Sequence, residues 1–212
     1  MDLVNILERL NRKERFFLFK LVIDKTSFVL SDDLLKRLQT VTSLTIPRTA
    51  FFATDYHLDW LYAALTLYKE QDMHGVFSIT NVAVNNNQED IDLIIAYKEE
   101  GYYQILLVEA KGTGSWTNKQ LESKIRKLQA IFGAKLEQCP PDVQVRFVLA
   151  SPKKPKRVKV SNWPSWVLSA NGGVSWIPLD IPPDRLQFTR CDQNRIPSNL
   201  GTYWALVTSE ES

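Results

Sequence analysis

The sequence predicts a mixed α/β fold, a central β-sheet with helices packed on it. Three observations carry that expectation. Two oily segments, IDLIIAY (91–97) and YQILLVEA (103–110), flank a tight turn at KEEGY, with Gly101 where a positive φ is needed. Helical periodicity brackets this pair, at 55–70 before it and 117–132 after it. A further apolar strand, VQVRFVLA (143–150), follows the second helix. Nearly continuous apolar character in the strands means central strands covered on both faces.

Along the chain, residues 3–24 read as helix, with Leu3, Ile6, Leu7 and Leu10 and then Phe16, Phe17 and Leu21 recurring at helical spacing. Asn11-Arg12-Lys13 is a point where this run divides in two. Ser31 caps SDDLLKRLQTV, whose acids precede its bases as the helix dipole favours. In DYHLDWLYAALTLYKE (55–70), Asp55 is the expected cap and Leu58, Leu61, Tyr62, Leu65 and Tyr68 the apolar stripe. Val76 to Val84 reads as a strand, which makes a three-strand meander with the two that follow. Thr117 and Gln120 form a capping-box signature for the next helix, Leu121, Ile125, Leu128 and Phe132 its buried stripe, and Gly133 its end. Short strands are expected near 174–179, 185–190 and 202–207. The organisation is a helical N-terminal subdomain (1–50), a core (51–160) and a β-containing C-terminal extension packed on it (161–212).

Composition narrows the function. The chain is 44% hydrophobic and 24% charged, the balance of an ordinary globular protein and not of a disordered one. The formal net charge is only +2, so any nucleic-acid surface is local, balanced by acids elsewhere. Cys139 and Cys191 form no CxxC or Cys/His cluster, which argues against zinc and fits a reducing cytoplasm. The first residues carry charges throughout their apolar pattern, unlike a secretory signal, and no apolar run approaches a membrane span.

The chemistry concentrates at Leu107-Val108-Glu109-Ala110-Lys111. Glu109 and Lys111 share one face of their strand, opposite Leu106, Val108 and Ala110. Charges at the end of an oily strand need partners. If the turn centres between Glu100 and Gly101, Tyr97 faces Gln104 and Asp92 faces Glu109. Two opposed carboxylates destabilise a sheet. A divalent cation between them removes that penalty, and Lys111 one pleat on adds a second compensating charge. Mg²⁺ takes hard oxygen ligands and often only one or two carboxylates. Asp92 and Glu109 are the expected ligands, the Ala110 carbonyl a candidate third, and Lys111 the group that orients or deprotonates an attacking water or stabilises transition-state charge.

The order IDLII, hairpin, LLVEAK resembles the D-x(n)-ExK core of the PD-(D/E)xK nuclease superfamily. The resemblance covers about 55–150 and implies a restriction-endonuclease-like sheet and Mg²⁺-dependent phosphodiester hydrolysis, with Mn²⁺ expected to substitute. In such families a helix before the first strand often supplies another acid; Asp59 or Glu70 stands in that place. A helix after the ExK strand often carries a Lys or Gln near the site; Gln120, Lys124 and Gln129 are available. Ile91 occupies the position of the proline that names the superfamily.

Around this constellation, Lys124 with Lys119 on the second helix is the candidate near the site, other bases of that helix facing solvent, and Lys153 and Lys154 in the loop SPKKPKRVKV suit phosphate contacts or else form a solvated charged loop. Trp116 is a candidate to stack on a base, or else a loop anchor on the core. Asp90 is expected beside the site or solvated, and His57 carries no assigned chemistry. The expected activity is an endonuclease acting on DNA. The alternatives are a non-catalytic nucleic-acid-binding or interaction protein and an RNA-directed nuclease. The N-terminal helices are left three roles: contacting DNA, forming a homodimer, or engaging a partner protein.

Overall fold

A computed structural model of the chain describes residues 1–24, 26–78, 89–112, 116, 118–156, 158–182 and 186–208. Three helices come first: α1 (Leu3–Leu10), α2 (Glu14–Val22) and α3 (Asp32–Thr42). They are followed by β1 (Phe51–His57), α4 (Leu58–Glu70), β2 (Asp90–Glu99), β3 (Tyr102–Ala110), α5 (Asn118–Phe132) and β4 (Val143–Ser151). The chain closes with β5 (Trp176–Pro178), β6 (Leu186–Cys191) and β7 (Tyr203–Thr208).

The main sheet has five strands in the order β1-β2-β3-β4-β5. The β1–β2 and β2–β3 pairs are antiparallel, and β3–β4 and β4–β5 are parallel. The parallel step from β3 to β4 is made through α5, as a parallel pair requires. Glu100 (φ 49°) and Gly101 (φ 89°) both lie in the left-handed region, the mirror-image turn whose twist suits a two-residue hairpin. This turn sets Tyr97 against Gln104 and Leu93 against Val108, the register expected from the sequence.

Both faces of the sheet are covered. On one, Leu3, Ile6 and Leu7 of α1, Leu58, Leu61 and Leu65 of α4, and Leu121, Ile125, Leu128 and Phe132 of α5 pack over Ile94, Ile105, Leu107, Val145 and Phe147. On the other, Leu34, Leu35 and Leu38 of α3 lie over Ile95, Leu106, Val108 and Val148. The N-terminal helices therefore serve both layers: α1 lies against α4 and α3 closes the opposite face. Tyr56, fully buried, donates its hydroxyl to the Leu7 carbonyl (2.9 Å) and ties α1 to β1. Near the C-terminus, Ile177 joins the second layer, while the β6–β7 ribbon forms its own two-stranded sheet with Phe188 stacked on Trp204.

Three expectations are corrected. The segment Phe51–His57, rich in aromatic residues, is a strand, and α4 begins only at Leu58 with His57 at its N-cap. Asp55 is therefore no helix cap; it stands within β1 at φ 50°. The strand expected at 76–84 is absent over Val76–Ser78, and its remainder lies outside the described residues. The first strand of the sheet is instead β1, so α4 lies between β1 and β2 and does not precede all three antiparallel strands. The proposed Thr117 cap also falls outside the described residues. Among the described residues, no helix is long and apolar enough to cross a membrane.

Candidate functional site

The site lies where β2 begins and β3 ends. Ladder pairing between them stops at Leu93 and Val108, and the next positions in that register are Asp92 and Glu109. There the Asp92 side chain replaces the ladder: its Oδ2 accepts from the Ala110 N–H at 2.6 Å. On the other side of β2, Thr54 pairs with Leu93 and Tyr56 with Ile91, which sets Asp55 level with Asp92. Three acids thus stand in one row across three strands.

The strands change at this level. Ala53 and Tyr56, three residues apart, both face the α4–α5 layer, as do Ile91 and Ile94. A regular strand repeats every two residues, so the inward face switches between these pairs. The left-handed backbone at Asp55 sits at that switch. Such a conformation costs on the order of 1 kcal/mol for a non-glycine residue, least for Asp and Asn, and tends to collect at functional sites.

Glu109 faces α5. Its Oε2 is buried and lies 3.2 Å from Lys124 Nζ, an ion pair without hydrogen-bond geometry. Lys124 Nζ also donates to the Asp90 carbonyl. Burial pushes the Glu109 carboxyl up to about 7; the Lys124 ammonium opposes this and the Asp92 charge adds to it. Asp92 is raised too, first by burial, against the Ala110 N–H and Lys124, with Asp55 and Asp90 adding repulsion.

A cleft of about 700 Å³ opens beside them, and Glu109, Ala110, Lys111, Trp116, Lys119 and Lys124 all line it. Lys111 follows β3 directly, its N–H donating to the Ala150 carbonyl (2.8 Å), and its ammonium stands 5.8 Å over the Trp116 ring. The fold therefore gathers most of the residues singled out in the sequence. Lys153 and Lys154 are exposed in the loop after β4. That loop is anchored near the cleft at both ends, by Ser151 Oγ donating to the Lys153 carbonyl (2.9 Å) and by the Lys159 N–H donating to Asn118 Oδ1 (2.9 Å). The Gln120 side chain lies outside the described residues. Asp59 does not join the row of acids: it is ion-paired with the buried Lys127 of α5 at 2.9 Å. Asp55 and Asp90, not Asp59, are the additional acids whose charge acts on Asp92. Among the described residues, no three Asp, Glu, His or Cys side chains are grouped to hold a metal ion.

Sequence reasoning missed a second cluster. Asp90 Oδ2 is 2.8 Å from Lys13 Nζ, and Asp90 Oδ1 is 2.5 Å from His57 Nδ1. One carboxylate thus joins the α1–α2 junction, the start of α4 and the first residue of β2, next to the site. Breaking a buried ion pair leaves its partner uncompensated at a cost of several kcal/mol. Asp90 and its partners are partly exposed, so Asp90→Ala is expected to cost about 2 kcal/mol. Urea denaturation checks this, and an unchanged midpoint would show the cluster to be energetically idle. No signal in the sequence pairs residue 13 with residue 90. Asp55 was within reach: read as strand, 51–57 places it level with Asp92.

Family models, curated proteins and solved structures were all searched for relatives of this chain, and none matches.

Proposed function

We propose that this chain is a metal-dependent nuclease of the PD-(D/E)xK type, with a restriction-endonuclease-like core, hydrolysing phosphodiester bonds in DNA. One observation carries the reading: Asp92 and Glu109 occupy the next register positions at the open end of a hairpin, both partly desolvated and each raising the other's repulsion, and Glu109 lines a cleft that Lys111 shares. Such a pair is a liability without a cation and a ligand set with one. The antiparallel β1–β2–β3 unit joined through α5 to a parallel β4 supports the same reading. Ile91 in place of the family's proline and the interposed α4 leave the Asp-hairpin-Glu-x-Lys order intact.

The residues fit Mg²⁺. Asp92 and Glu109 offer hard carboxylate oxygens, the buried Glu109 Oε2 lacks a hydrogen bond, and the Ala110 carbonyl lies between Glu109 and Lys111 in sequence. A site with two carboxylates suits an ion that keeps waters and substrate oxygens. When bound, such an ion polarises the scissile phosphate and lowers the pKa of a water. The Ala110 N–H holds Asp92 in place, and Lys124 favours the ionised form of Glu109. Lys111 supplies the ammonium that orients the attacking water or meets transition-state charge. Lys119, Lys153 and Lys154 lie where they can meet backbone phosphates along the cleft and its rim.

Plasmid and single-stranded DNA incubated with Mg²⁺ or Mn²⁺ test the reading. Cleavage is expected from the wild type and not from Asp92→Asn or Glu109→Ala. Cleavage that persists in both variants would sink the assignment. DNA binding without cleavage by the wild type would favour a binding protein on this scaffold.

A further inference from the structure

The nuclease reading leaves open which form of nucleic acid the cleft admits. The cleft wall carries a built feature that bears on this. Ser151, at the end of β4, is 3% exposed, and its hydroxyl is saturated. It accepts from Trp116 Nε1 (3.0 Å) and from Trp176 Nε1 of β5 (3.0 Å), and it donates to the Lys153 carbonyl. Trp116 is therefore not a loosely packed loop residue. Its indole N–H is fastened to the sheet, which restricts the ring's orientation, while the residue lines the cleft and presents a ring face toward Lys111. At 5.8 Å the ammonium sits near the outer limit of a cation–π contact.

Resting on that nuclease reading, we propose that Trp116 is a base-stacking platform and that the substrate presents an unpaired nucleotide beside the scissile phosphate. A base inside a duplex has both faces covered by its neighbours and offers none to a fixed indole. A single-stranded, frayed or overhanging nucleotide offers a whole face. The cleft of about 700 Å³ has the size of a small-molecule site, enough to take a nucleotide. Lys111 and Lys119 line the same cleft for the adjoining phosphates. The saturated Ser151 hydroxyl links this platform to the lysine loop, so base and backbone contacts share one anchor.

Anisotropy of labelled oligonucleotides in EDTA, which blocks cleavage, reads the proposal. Single strands and overhang-bearing duplexes are expected to bind the wild type about 10-fold more tightly than a blunt duplex of the same sequence. Trp116→Leu should abolish that preference, and Trp116→Phe should keep most of it. A cross-linking measurement on the wild type covers the case in which the leucine variant does not fold. An overhang carrying 5-iodouracil at its unpaired position should, on irradiation, join to Trp116, as mapped by mass spectrometry. Equal binding of blunt and unpaired DNA, a preference that survives Trp116→Leu, or a cross-link elsewhere would each overturn the proposal while leaving the nuclease reading intact. Failure of the wild type to bind any nucleic acid, in EDTA and with Ca²⁺ in its place, would overturn both.

Discussion

Replacing Glu109 by Gln is expected to stabilise the metal-free protein at pH 8 and to do nothing for it near pH 4. Burial raises this carboxyl from 4.5 to about 7. Below about 4.5 the group is protonated in both the folded and unfolded chain and contributes no pH dependence. As the pH rises from there, the unfolded chain releases its proton and the folded chain keeps it, so stability falls. Above about 7 the folded chain carries the full penalty. A shift of this size corresponds to about 3 kcal/mol. Gln keeps the shape and removes the charge, though Lys124 then loses its partner, so the net gain should be about 1–3 kcal/mol. For a chain of this length that is on the order of 2–10 °C in Tm. Calorimetry at the two pH values in EDTA measures it; a variant less stable than wild type at pH 8 would refute the electrostatic account. Mg²⁺ acts in the same direction by another route, since a ligand bound only by the folded chain raises its stability. Wild type should gain from Mg²⁺ at pH 8, and Glu109→Gln should gain little.

The second large effect separates the two lysines of the cleft. Lys111→Ala is expected to reduce cleavage by about 10²–10⁴-fold at saturating metal, the range typical of losing a group that handles a proton or meets transition-state charge. That loss should not be recovered by raising the pH. Lys124→Ala should behave differently, because Lys124 pairs with Glu109 and holds its carboxyl down. Without it the carboxyl rises further, so the acid limb of the pH–rate profile should move to higher pH, with activity partly recovered there. Profiles of kcat for both variants decide the matter. If the two behave alike, with equal losses at every pH, Lys124 touches the reacting atoms and the division of roles fails.

The parts of this molecule that were legible in the sequence are those specified by neighbours along the chain. The β2–β3 hairpin follows from its turn residues, and its register then carries Asp92 to Glu109. The stripe of α5 and the oily β4 follow from period and length. What was not legible depends on distant contacts. A period of 3.6 and a run of aromatics overlap at 51–58, and only pairing with β2 decides that Phe51–His57 extends. Asp90 meets Lys13 and His57 because α1 and α4 pack on one face. Ser151 joins two tryptophans from separate segments, one from the stretch before α5 and one from β5. Asp59, credible as a ligand by its place on the helix, is turned to α5 and Lys127.

The left-handed backbone at Asp55 also restricts which residue types can stand there. Asparagine and aspartate tolerate that handedness, glycine accepts it freely, and branched side chains resist it. Asparagine therefore removes the charge beside Asp92, and with it the Arg15 ion pair, without adding backbone strain, whereas alanine changes charge and conformational strain together. Two substitutions that look equivalent on paper would ask this position different questions, and only the amide would isolate what the carboxylate contributes.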